Sequence, residues 1–305
     1  MRVQPEAPFT KGVHRFGWPA VHDALLEASD GCGVYLDDYV DATFGGRRKK
    51  TPHTEPWVGI FHYPREVLAP ISMDKQLQVK RLLESSYNFR QSRKLLRGAI
   101  CMSKDLAGYV KRWLQVPTIV IKHPTDLKCE TWRGECDVLA QVGFFLRDVR
   151  KVFRVNSKSH VTYVRTTPRF DWVKSRDNRL RERYRKQEHN VVDEIPYLDA
   201  AGYDTLLASS VVLSHVYGAS ANNTVIECIA RNVPIAVTRL PAIIEYLGSD
   251  YPLYYDLNDD PGAILDDRKR VIAAHEYLKV LDKSWCDVDV FVNQVREFTK
   301  QVDNG

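Results

Sequence analysis

Nowhere in the 305 residues do about 18 apolar residues follow one another, the length a helix needs to cross a bilayer, so no segment reads as membrane-spanning. The opening Met1-Arg-Val-Gln-Pro-Glu-Ala-Pro has no apolar stretch of the kind that fills a signal peptide, and a cytoplasmic location is expected. The six cysteines (Cys32, Cys101, Cys129, Cys136, Cys228, Cys286) include no C-x-x-C pair, which excludes the usual zinc and disulfide frameworks and fits reduced thiols. Cys129 and Cys136 with His123 nearby are the nearest approach to a metal set, but small buried hydrophobes are the commoner role of such cysteines. There is no internal repeat and no low-complexity tract.

What is present is the composition of an ordinary globular protein, 44% hydrophobic and 27% charged, in a chain long enough for two domains. The net charge of +5 is local in origin. Residues 174–186 hold seven basic side chains against two acidic ones, a pattern that reads first as a solvated helix or loop and second as a nucleic-acid or membrane footprint.

Short apolar runs alternate with helical periodicity twice along the chain. The first set places strands at 33–36, 57–61, 99–102 and 118–122, with helices around Leu25, over 76–83 and over 104–114, and a basic, glycine-rich loop over 44–52. After a polar link the second set places strands at 138–143, 161–164, 190–192, 211–215 and 235–237, followed by helices over 268–279 and 288–302. Such alternation predicts an α/β chain with two Rossmann-like, doubly wound domains, at 1–126 and 137–275, and a final segment 276–305.

In sheets of this kind ligands bind beyond the carboxyl ends of the strands, and one such segment is rich in chemistry. Ser220-Ala-Asn-Asn-Thr-Val-Ile-Glu-Cys-Ile-Ala-Arg-Asn-Val-Pro-Ile-Ala-Val-Thr238 reads as a polar turn, a short helix and a buried strand. Ser220, Asn222, Asn223 and Thr224 cap a helix that begins near Asn223, leaving backbone N–H groups and the positive dipole end for an anion. Asn232 suits a left-handed helix stop. Glu227, one turn past Thr224, is a carboxylate beside the core and needs either donors from a ligand or an ion pair with Arg231.

Ile226 to Thr238 is similar to the donor-site segment of nucleotide-sugar glycosyltransferases with the two-domain glycosyltransferase-B fold. Further similarity runs through Trp57-Val-Gly-Ile-Phe-His-Tyr-Pro64, Ile121-Lys-His-Pro-Thr125, Gly143-Phe-Phe-Leu-Arg147 and Glu245-Tyr-Leu-Gly-Ser-Asp-Tyr-Pro252. The resemblance implies an acceptor-side first domain, a donor-side second domain, a last helix crossing back to the first, and a carboxylate at Glu227 bonding the ribose. Many members carry a second glutamate eight positions earlier, where this chain has Ala219, so the usual acidic contact to the donor sugar is missing.

On this reading Gly143 and Arg147 face the diphosphate together with Ser220, Asn222, Asn223 and Thr224, with Lys158 as a spare cation. Arginine suits a leaving diphosphate because its fork matches phosphate oxygens and keeps its charge. Asp38 and His62, at strand ends, compete for the role of base. Leu36-Asp-Asp-Tyr-Val-Asp41 also has the outline of a metal-diphosphate motif, although paired aspartates at a strand end are often a cap or turn. Tyr197 belongs to the stretch expected near the nucleotide base, and Glu245 is a candidate cleft residue that caps no obvious helix.

The expected activity is hexosyl or pentosyl transfer from a UDP- or GDP-linked sugar to a hydroxyl of a glycan or glycoconjugate. The nucleotide sugar is the substrate, and neither a metal nor another cofactor is called for; no nucleic-acid partner is expected. Bound donor is expected to draw the domains together and exclude water. The rivals are a nucleic-acid-binding protein using residues 174–186 and a nucleotide-sugar epimerase or hydrolase on the same fold.

Overall fold

Runs such as Trp57-Val-Gly-Ile-Phe61 and Val211-Val-Leu-Ser214 are buried at every position, which a parallel sheet covered on both faces allows. The computed structural model describes residues 1–4, 17–45, 51–70, 77–159, 162–167 and 171–304, and in it such strands form two parallel sheets. The first contains β1 (Arg2–Val3), β2 (Tyr35–Asp37), β3 (Trp57–Phe61), β4 (Leu96–Cys101) and β5 (Thr118–Val120), in that order. The second contains β6 (Val138–Gln141), β7 (Thr162–Thr166), β8 (Val192–Ile195), β9 (Val211–Ser214), β10 (Ile235–Thr238) and β11 (Tyr254–Tyr255), ordered β11-β10-β9-β6-β7-β8.

The first order runs in one direction. The second reverses: the chain moves outward from β6 through β7 to β8, then returns to the other side of β6 at β9. The crevice beyond the carboxyl ends of β6 and β9 is therefore the topological switch point, where α/β sheets bind ligands.

Helix Gly17–Glu27 and the last helix, Val288–Asp303, cover one face of the first sheet, sharing a core with Leu36, Val58, Ile60 and Ile100. Phe298 lies so close to β4 that a Cβ on Gly98 would stand 2.9 Å from its ring, so only glycine fits there. Helices Val79–Ser85 and Lys104–Leu114 cover the other face. The expected helix over 76–83 is observed over Val79–Ser85; Gln76, Val161 and residues 46–50 of the basic loop lie outside the described residues. No described helix is long and apolar enough to cross a membrane.

The two halves are tied at several points. Glu245, expected to cap nothing, caps the start of Lys104–Leu114 in the other half, accepting from the Lys104 backbone N–H at 2.6 Å. A carboxylate there opposes the positive helix end. Its neighbour Tyr246 is buried, donating to the Met102 carbonyl (2.9 Å) and accepting from the His123 N–H (3.0 Å). The strap at residues 65–69 closes a third side, with Leu68 N–H bonded to the Tyr217 carbonyl at 2.8 Å.

Candidate functional site

Beyond β6 the chain turns at Gly143, whose φ of +70° glycine adopts freely, and where a Cβ would strike the Arg147 guanidinium. Glycine thus lets the guanidinium lie flat on the backbone. The loop then pairs antiparallel with the segment after β9: Tyr217 N–H reaches the Leu146 carbonyl and Asp148 N–H the His215 carbonyl, both at 2.8 Å, with Arg147 opposite Val216. The loops flanking the switch point are in this way joined to each other.

Arg147 is 6% exposed. Its Nη2 donates to Asn222 Oδ1 at 2.7 Å and its Nη1 to the Val142 carbonyl at 3.3 Å. Among the described residues its buried Nε has no acceptor and no carboxylate lies within ion-pair distance. Burial pushes its pKa down, opposed by nearby Tyr203 and Glu227. A buried cation without a counter-ion costs several kcal/mol, and an unmade buried hydrogen bond about 1–3 kcal/mol. An anion placed here relieves both.

Asn222 is the N-cap of helix Asn223–Arg231: its Oδ1 also accepts from Val225 N–H at 3.2 Å. The helix begins and ends where the sequence places it, with Asn232 left-handed at φ +55°. Thr224 is buried close to Gly143, and half-buried Asn223 opens the first turn. Ser220 Oγ points the other way and donates to the His62 carbonyl in the first half.

One turn along, buried Glu227 accepts from the Tyr203 hydroxyl at 2.6 Å. Arg231 pairs instead with Asp204 (2.5 and 3.1 Å) and gives Nη1 to the Glu227 backbone carbonyl. The side-chain ion pair weighed for Glu227 is thus replaced by a tyrosine from helix Ala200–Ala208. Tyr197 follows β8, two strands from β6 and so about 10 Å across the sheet, at the margin of this cluster. Lys158 lies in a loop bound through its backbone by Asp266.

Sequence reasoning missed Arg176. It sits in the basic run, which forms helix Asp171–Tyr184, yet it is buried. Its guanidinium donates to the Phe144 carbonyl (2.9 Å) and the Arg147 carbonyl, closing the turn that carries Arg147. Next to it, Asp177 receives Arg165 at 2.8 and 2.9 Å and Arg150 at 3.3 Å. The helix is solvated on one side only; Leu180 and Val173, apolar and 7 residues apart, mark the inner side.

On the first-half wall, the reading of Asp38 as a base is corrected. Its carboxylate is fully buried and accepts from Trp18 Nε1 (2.9 Å) and faces His22 Nδ1 (2.8 Å), so it anchors the core. The metal-motif outline also dissolves: Asp37 bonds His53 and Thr43, Asp38 bonds Trp18 and His22, and Asp41 bonds the His62 N–H at 2.6 Å. Among the described residues no three His, Cys, Asp or Glu side chains converge as metal ligands. Half-buried His62 stacks on Tyr39 at 3.7 Å and meets Trp18 edge-on at 4.1 Å, with Nε2 3.0 Å from the Asp38 carbonyl. Burial pushes Asp41 up to about 7.

No protein-family model matches the sequence, and no curated protein is significantly similar to it. Solved structures do share its fold. A sucrose-phosphate synthase from Thermosynechococcus elongatus superposes with TM-score 0.66 and 13% identity, over 90% of this chain and 75% of that one. HepE from Anabaena, in complex with UDP and glucose, gives TM-score 0.63 and 12% identity over 93% and 82%. A UDP-forming α,α-trehalose-phosphate synthase from Burkholderia vietnamiensis gives 0.59 and 11% over 92% and 78%. The chain has the glycosyltransferase-B fold.

Proposed function

We propose that this protein transfers a sugar from a nucleotide-sugar donor, UDP-linked in the first instance, to a hydroxyl of a glycan or glycoconjugate. The observation that carries the reading is Arg147: a buried guanidinium without a carboxylate partner among the described residues, set at a helix N-terminus on the switch point of the second sheet. Its neighbours complete a nucleotide site. A diphosphate would take the Arg147 guanidinium and the N–H groups of the first helical turn at Asn223 and Thr224, and the ribose diol would donate to Glu227, whose carboxylate Tyr203 orients. UDP is the nucleotide bound in the Anabaena HepE structure, and the Burkholderia trehalose-phosphate synthase is UDP-forming.

As the sugar–oxygen bond breaks, negative charge grows on the diphosphate, and preorganised donors stabilise it without a metal ion in this scheme. His62 is the titratable side chain retained as base or as donor to the sugar. Its carbonyl bond to Ser220 sets it opposite the donor segment.

A thermal-shift comparison of UDP, GDP, CMP and ADP, each with and without Mn²⁺, tests the donor class through linkage. UDP is expected to raise the melting temperature, equally with and without the metal. Shifts with none of the four would overturn the reading, and a shift only with Mn²⁺ would remove its metal-independent part.

Arg176 provides a separate check on the geometry. Arg176→Lys leaves a charge but cannot hold two carbonyls at once, so nucleotide affinity should fall roughly tenfold, about 1.4 kcal/mol for one charge-assisted bond. Calorimetric titration with UDP measures it; wild-type affinity in the variant would show that the turn at residues 144–147 stands without its clasp.

A further inference from the structure

A groove of about 690 Å³ lies in the first half, outside the donor cluster, between the strap at residues 65–68 and helices Val79–Ser85 and Lys104–Leu114. That volume is in the range of small-ligand sites. One wall carries Tyr109 and Trp113, a turn apart, with ring centroids 6.2 Å apart and planes inclined at 41°. They border the buried stripe of Leu106, Val110 and Leu114 on the same helix, with Tyr109 half-buried against that core. Trp113 is 39% exposed and Leu68, across the groove, 48%.

The polar rim is balanced in charge. Arg65, which pairs with Asp105 at 3.3 Å, and Lys80 line it together with Glu66, Glu84 and Gln78. Such a rim sets up no net field to hold a polyphosphate or nucleic acid. It does offer donors and acceptors in equal measure around flat apolar rings. A neutral saccharide has the matching surface, with hydroxyls that both give and accept hydrogen bonds at its edges and C–H groups on its faces.

The groove also shares a wall with the donor site. The strap binds the Tyr217 carbonyl through Leu68 N–H, and Val67 and Ala69 pack with Leu146 and Tyr217, in the two loops that carry Arg147 and Ser220. On the other side, Val79 N–H bonds the Pro64 carbonyl at 2.9 Å. We infer that this groove is a saccharide-binding site that holds a neutral part of the acceptor glycan away from the reacting hydroxyl, an inference that rests on the glycosyltransferase reading above.

The test uses the full chain on a printed array of neutral hexose and N-acetylhexosamine oligosaccharides, with acidic oligosaccharides alongside, and the UDP thermal shift measured in parallel. The wild type should retain neutral oligosaccharides. Trp113→Ala should lower retention roughly tenfold, the loss of one stacked ring, while Trp113→Phe keeps most of it and both variants keep the UDP shift. Absence of any retained neutral oligosaccharide, equal retention by Trp113→Ala, or selective capture of the acidic set would overturn the inference. A wild-type chain without a UDP shift sinks the donor reading instead, so the two failures are distinguishable.

Discussion

Arg147→Ala is expected to lower turnover about 10²–10³-fold, roughly 3–4 kcal/mol of transition-state stabilisation, as loss of a preorganised donor to a developing anion does elsewhere. Binding of UDP should weaken less, because the helix N-terminus and Glu227 remain. The cap survives too, since Asn222 Oδ1 still receives Val225 N–H. Removing a buried cation that has no carboxylate partner among the described residues also removes its desolvation cost, so the melting temperature of the free protein should hold or rise. Sugar release from a UDP-sugar under saturating donor, read beside UDP titration and melting, separates these effects. Unchanged turnover would take Arg147 out of the reaction; a fall in turnover accompanied by a large loss of stability would recast it as a structural residue.

The second large effect concerns pH. Asp41 is wholly buried, bonded to the His62 N–H through one oxygen, while its Oδ1 has no partner among the described residues. Burial raises it from 3.8 to about 7. Between those values the folded chain keeps a proton that the unfolded chain loses, so stability falls as pH rises from about 4 to about 7 and is level above that. At about 1.4 kcal/mol per unit the loss amounts to roughly 4 kcal/mol. His215, held neutral by burial and pushed down to about 4, has the opposite slope, losing stability as pH falls from 6.5 towards 4. Comparing Asp41→Asn with wild type therefore isolates Asp41: the variant's melting temperature should decline less between pH 4 and 8. Parallel profiles would place the Asp41 titration outside this range.

The elements that sequence made legible are those governed by neighbours in the chain. Asn222 before an apolar stripe and Asn232 after it are local signals, and helix Asn223–Arg231 has those ends. Trp57–Phe61 is apolar at every position and is a central strand. The short edge strands Arg2–Val3 and Tyr254–Tyr255 escaped notice because two residues carry no periodicity. At the site, Gly143, Arg147, Asn222, Thr224 and Glu227 were nameable in advance from strand ends and resemblance. Tyr203, Arg176 and the cap by Glu245 were not, since each acts on a residue 24 to 141 positions away. Asp38 misled for the same reason: a polar pair at a strand end looks solvated until Trp18 and His22 fold over it.

The return of helix Val288–Asp303 to the first sheet has a consequence for how the molecule is made. Phe291, Val295 and Phe298 fill the same core as Met1, Val3 and Leu25, so residues at opposite ends of the chain complete one interior. On a ribosome, which delivers the chain from its N-terminus, the five strands of the first sheet emerge early with one apolar face covered only in part, by helix Gly17–Glu27. The second sheet, whose core draws on residues 132 to 285, can close before the last helix appears. The half synthesised first is thus the last to become watertight, and during that interval the part of its face that Val288–Asp303 will cover stays open to water.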